Sequence, residues 1–153
     1  MAMKDVMLKI TGTSTSNLPG EEGKKDVVEF VTEGKLGKLG KSTLIVYPEA
    51  IDTVMEGVTT YITISPNMVK VKRSYNETEE SFMEFQTGKR FESQYLTPYG
   101  AFSMELLTNK ISKFDDEKQN LKIDYNVSLR GLSQSRNTLD IQVLGKEEGE
   151  SEQ

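Results

Sequence analysis

The chain is expected to fold as an all-β domain, a closed or nearly closed antiparallel β-barrel of about 8–10 strands. Three observations lead there. Long stretches alternate apolar and polar residues with a period of two, the mark of a strand with one buried face. No window of a dozen residues carries a convincing helical stripe. Proline and glycine punctuate the alternating stretches at spacings of about 8–14 residues, the rhythm of short strands joined by turns. So many strands in an open sheet would leave long unpaired edges, and closure removes them.

The clearest alternation runs from Leu121, where Leu121, Ile123, Tyr125, Val127 and Leu129 interleave with Lys122, Asp124, Asn126, Ser128 and Arg130. After 131–137 the pattern resumes with Leu139, Ile141 and Val143, so the two stretches read as a hairpin. Val6, Leu8 and Ile10 alternate with polar residues near the start of the chain. Val27 to Leu36 is apolar on both parities at first, with Val28 and Phe30 favoured as inward. Thr43 to Tyr47 is a short run ended by Pro48. The stretch from Pro48 to Glu56 is suited to one helical turn or an irregular crossover. Val58, Thr60, Ile62 and Ile64 share a face, as do Val69 and Val71 after a turn at Pro66-Asn67. Phe82–Gln86, Phe91–Leu96 and Phe102–Leu107 follow. Phe102, Met104 and Leu106 lie on the even face but Leu107 and Ile111 on the odd one, and such a phase change predicts a β-bulge or a sharp bend.

Composition narrows the chemistry. Of the 153 residues 35% are apolar and 28% charged, which suits one core under a solvated surface. A single domain over 3–145 is expected, followed by an acidic disordered tail over 146–153. No apolar run approaches the ~18–20 residues of a membrane span, and no apolar leader precedes the first strand, so a cytoplasmic protein with no membrane partner is expected. There is no cysteine and no histidine. Thiolate metal sites, thiol redox chemistry and the Ser-His-Asp arrangement therefore have no residues to use, and neither catalysis nor a cofactor is expected. The formal charge is −5, and the last eight residues carry −3 of it. The near-neutral remainder lacks the positive field of a nucleic-acid binder.

Several motifs are better explained by ordinary structure. Gly40-Lys41-Ser42 ends like a phosphate-binding loop, but Lys35 stands where a glycine is needed, and Thr43-Leu44-Ile45-Val46 is a strand where a helix should open. It reads as a basic hairpin turn. Asp115, Asp116 and Glu117 lack the glycine and glutamate of a calcium-binding loop. The aromatic residues Phe91, Tyr95, Tyr99 and Phe102 fall mostly at core-facing spacings rather than as a stacking platform for bases. Glu33, Glu56 and Glu105 are the acids to inspect for a buried carboxylate. Lys70 and Lys72 lie on a polar face, whereas Arg73 continues the inward parity of Val69 and Val71, the position of a cation at a barrel rim.

Certain segments, taken in order, resemble the bacterial YwiB-like family, a domain of unknown function with a calycin-type (lipocalin-like) β-barrel. They are Glu33-Gly34, Met55 to Thr60, Gly88-Lys89-Arg90, Tyr95 to Gly100, Met104-Glu105, Leu107-Thr108-Asn109, Leu129 to Ser133 and Arg136 to Ile141. The resemblance spans about Asp5 to Val143 and departs in the Asn17–Lys25 loop and the tail. It implies a nearly closed barrel in a cytoplasmic bacterial protein and brings no catalytic residue.

Two functions follow as expectations. The first is a small-molecule site inside one open end, with Arg73 as its cation and Arg90, Tyr95 and Tyr99 beside it, favouring an amphipathic anion with a carboxylate head. The second is an interaction or structural module whose barrel is filled by its own side chains.

Overall fold

The computed structural model describes residues 3–16, 20, 23–49, 57–76, 78–97, 100–112, 119–129 and 133–144, with main chain only for 95–97 and 133. It contains ten strands: β1 (Met3–Ser16), β2 (Lys25–Leu39), β3 (Ser42–Pro48), β4 (Thr59–Ile64), β5 (Val69–Ser74), β6 (Glu80–Phe85), β7 (Arg90–Thr97), β8 (Gly100–Ser112), β9 (Asn120–Leu129) and β10 (Ser133–Leu144). Every sequence-predicted strand is present. β10 begins at Ser133, earlier than its apolar alternation, because the polar residues Ser133 to Thr138 continue the ladder with β9. Of the Pro48–Glu56 crossover only Pro48 and Glu49 are described, and the acidic loop at Asp115–Glu117 and the tail lie outside the described residues.

The strands form one antiparallel sheet in the order β6-β5-β4-β3-β2-β1-β10-β9-β8-β7. Each pairs with its sequence neighbour except β6 with β7, and β1 also pairs with β10. The two ends of the chain are therefore stitched together, Ile10 opposite Ile141, and the seam of the nearly closed barrel lies between β6 and β7. A tight turn crosses that seam: Lys89 donates to the Gln86 carbonyl at 2.9 Å, and Gly88, at φ 79°, donates to the Thr108 carbonyl at 2.9 Å. Phe85 of β6 and Tyr125 of β9 meet edge-on across the interior at 4.9 Å. The phase change in β8 is a register shift between Thr108 and Lys110, with Asn109 as the extra residue.

The inward faces fill the barrel. Leu8, Ile45, Ile62, Phe85, Leu106, Leu121, Ile123 and Ile141 are completely buried, and each such side chain contributes about 1.5–3 kcal/mol relative to exposure. Burial is graded along the axis. On β1 the inward row passes from buried Val6, Leu8 and Ile10 to partly exposed Gly12 and Ser14. On β9 it passes from buried Leu121 and Ile123 to partly exposed Tyr125, Val127 and Leu129. On β5 it passes from Val69 and Val71 to Arg73. One end of the interior is packed and the other opens.

Candidate functional site

Three neighbouring strands bring a polar cluster to that open end. Tyr47 on β3 pairs with Thr60 on β4, which pairs with Arg73 on β5. Beyond Pro48, Glu49 keeps the inward parity of Thr43, Ile45 and Tyr47, and its amide holds the Val58 carbonyl at 2.8 Å. The Glu49 carboxylate is buried, with only 8% of its side chain exposed, against 26% for Arg73. Glu49 Oε2 accepts from Thr60 Oγ1 at 2.6 Å and from Arg73 Nε at 3.3 Å. A buried carboxylate needs this company, because an unpaired one would cost several kcal/mol of solvation, on the order of ~3–5 kcal/mol in measured cases.

The electrostatics follow from that placement. Burial is the largest single influence and opposes the charge on Arg73, but Glu49 and the oxygens of Tyr47, Tyr125 and Tyr75 together outweigh it, and the pKa rises above the ordinary arginine value. Burial, reinforced by the Glu49 charge, pushes Tyr47 above the tyrosine range, so it stays neutral. Among the described residues no hydrogen bond engages the two terminal guanidinium nitrogens of Arg73. Glu49 thus holds the guanidinium by its inner nitrogen and leaves the two terminal nitrogens without a hydrogen bond among the described residues. Around the open end the inward wall carries partly exposed Phe30, Val127 and Phe102.

The other sequence-predicted site residues are not gathered there. Arg90 lies on the outer face of β7, 62% exposed, and its Nη1 donates to Glu105 at 3.2 Å. With Asn109, Asn126, Ser128 and Gln134 these two line a polar outer cleft of about 360 Å³. Tyr95 pairs through its main chain with Phe102, on a strand running toward the open end. Tyr99 lies outside the described residues, as does Glu56. Glu33 is exposed on β2. The residue the sequence reading passed over is Glu49. Its signal was the parity that singled out Arg73, continued two positions past a proline.

Fold and site define a single antiparallel β-barrel, filled along most of its axis, with an ion pair at its open end. The chain belongs to the family described as Domain of unknown function (DUF1934), whose model matches residues 9–141. Its fold is similar to that of a crystal structure of the ywiB protein from Bacillus subtilis, with 21% identity, 94% of this chain and 96% of that chain covered, and a TM-score of 0.65. Among the curated proteins none matches. No helix among the described residues is long and apolar enough to cross a membrane.

Proposed function

We propose that this chain acts by binding, and that it takes a small amphipathic anion at the open end of the barrel. One observation carries the reading: Arg73 is held through Nε by a buried carboxylate, while its side chain stays 26% exposed and its terminal nitrogens have no hydrogen bond among the described residues. A guanidinium fork meets a carboxylate with two parallel hydrogen bonds. Val71, Ile62 and Ile45 fill the space beneath the cation. The apolar body of the ligand therefore lies against Phe30, Val127 and Phe102 instead of deeper in the barrel. The reading keeps the protein in the cytoplasm, where a chain without cysteine needs no oxidising compartment.

The test is native mass spectrometry of protein purified from its own host, followed by titration with medium-chain carboxylates. Arg73→Ala should weaken binding by ~1–3 kcal/mol, the usual range for hydrogen bonds to charged groups. Arg73→Lys should recover little, because an ammonium cannot present the fork. If no carboxylate binds saturably, the reading fails.

A further inference from the structure

β2 has a partner along only part of one side. It pairs with β1 from Lys25 to Gly37, but with β3 only from Lys35 to Leu39. Pro48, which has no amide hydrogen, ends β3 at the level of Glu33 and Gly34. From Lys25 to Gly34 the other side of β2 therefore has no strand partner among the described residues. This edge carries Val27, Val28 and Val31, which are 58%, 51% and 54% exposed. Natural sheets guard such edges with inward charges, prolines, bulges or very short strands. This one is ten residues long and presents three valines.

We propose that two copies of this chain join through this edge, β2 against β2, antiparallel and centred on Glu29. The sequence selects that register. Centred there, Lys25 stands opposite Glu33 of the second copy, Val27 opposite Val31, and Val28 opposite Phe30, each pair occurring twice by symmetry. Centring on Val28 instead sets Asp26 against Phe30 and Val27 against Glu29. Centring on Phe30 sets Val27 against Glu33 and Glu29 against Val31. Only the Glu29 register matches charge with opposite charge and apolar with apolar. It also sets Glu29 against itself, and each copy already neutralises that carboxylate, with Lys9 Nζ at 3.1 Å and Thr11 Oγ1 at 3.3 Å. The pairing joins the two sheets into one, and its test needs no ligand, although Phe30 of the Arg73 mouth also stands in the paired edge.

Sedimentation of the full chain over a range of concentrations tests it. The expected mass at high concentration is twice that of the 17.2 kDa chain. Val31→Lys and Val27→Lys, both at exposed positions, should each raise the dimer dissociation constant about tenfold or more while leaving the far-ultraviolet spectrum and melting temperature unchanged. Lys25→Glu and Glu33→Lys should each weaken it several-fold, and the double reversal should restore it, because it rebuilds both ion pairs with opposite polarity. A chain that stays monomeric throughout, a dimer indifferent to both valine changes, or a double reversal no better than its singles would overturn the proposal.

Discussion

Arg73 donates through Nε to Oε2 of Glu49, 24 residues earlier in the chain, and the two are the ionised pair that closes the filled part of the barrel. Removing one member leaves the other charge poorly solvated. Glu49→Leu should therefore cost about 1–3 kcal/mol, below the figure for a fully buried pair because Arg73 still reaches water. Adding Arg73→Met should return most of that loss, since two apolar side chains need no partner. Urea melts of the two singles and the double give the coupling, and a double variant no more stable than Glu49→Leu alone would show the two groups to be independent.

How much of this was legible beforehand depends on the range of the interaction concerned. Strand identity and facing are local, so Leu121 and Ile123 declared themselves inward by alternation, and the offset between Leu106 and Ile111 announced the bulge at Asn109. Arg73 stood out by parity alone. Glu49 obeyed the same parity, but the proline before it read as the end of the strand. The stitching of β1 to β10 and the seam at β6–β7 rest on pairings more than a hundred residues apart or missing altogether, which no local pattern encodes. Val27-Val28, apolar on both parities, showed that the start of β2 was unlike a one-faced strand. Its lack of a neighbour is a property of where β3 stops.

Tyr47 should set the alkaline limit of the fold. Its folded pKa lies above that of an exposed phenol, whereas the unfolded chain ionises near ~10. Above that point the unfolded state has lost a proton that the native state keeps. The stability contribution is thus complete below about pH 10 and declines as pH rises from there toward the folded pKa. Phenolate absorbance should show one tyrosine that ionises only as the protein unfolds. Tyr47→Phe should remove that component, and an unchanged count of late-titrating tyrosines would contradict the assignment.

Gly34 marks where β2 passes from its unpartnered half into the barrel wall. A methyl group there would stand 2.5 Å from Leu8 Cδ1 and 2.7 Å from the Val46 carbonyl oxygen. The leucine tip can yield, whereas the carbonyl belongs to the β2–β3 ladder. Gly34→Ala should therefore destabilise by about 1–3 kcal/mol, the usual range for overpacking. Gly12 has nothing within 4 Å of the same virtual methyl, so Gly12→Ala serves as the comparison. Equal thermal shifts for the two would rule out crowding as the reason for Gly34.

Thr108, beside the bulge, buries a hydroxyl with no hydrogen-bond partner among the described residues. Valine keeps the shape and removes the unsatisfied group. Thr108→Val should be neutral or stabilising by up to about 1 kcal/mol in a denaturant melt. A loss larger than that would mean that the hydroxyl is bonded in solution.

The graded burial along β9 predicts a graded response to truncation. Ile123 is completely buried and packed on all sides, so Ile123→Ala should cost about 2–5 kcal/mol through lost transfer energy and the cavity left behind. Val127 faces the same way nearer the open end and is only partly buried, and its surroundings can relax into the mouth. Val127→Ala should cost less, about 1–2 kcal/mol. Ser128 points outward into the polar cleft beside Glu105, and Ser128→Ala should change stability by less than ~0.5 kcal/mol. The order Ile123, Val127, Ser128 in urea midpoints is the signature of a barrel packed at one end and open at the other. A Val127→Ala loss equal to that of Ile123→Ala would place packed core at the mouth, and would leave no room there for a ligand beside Arg73.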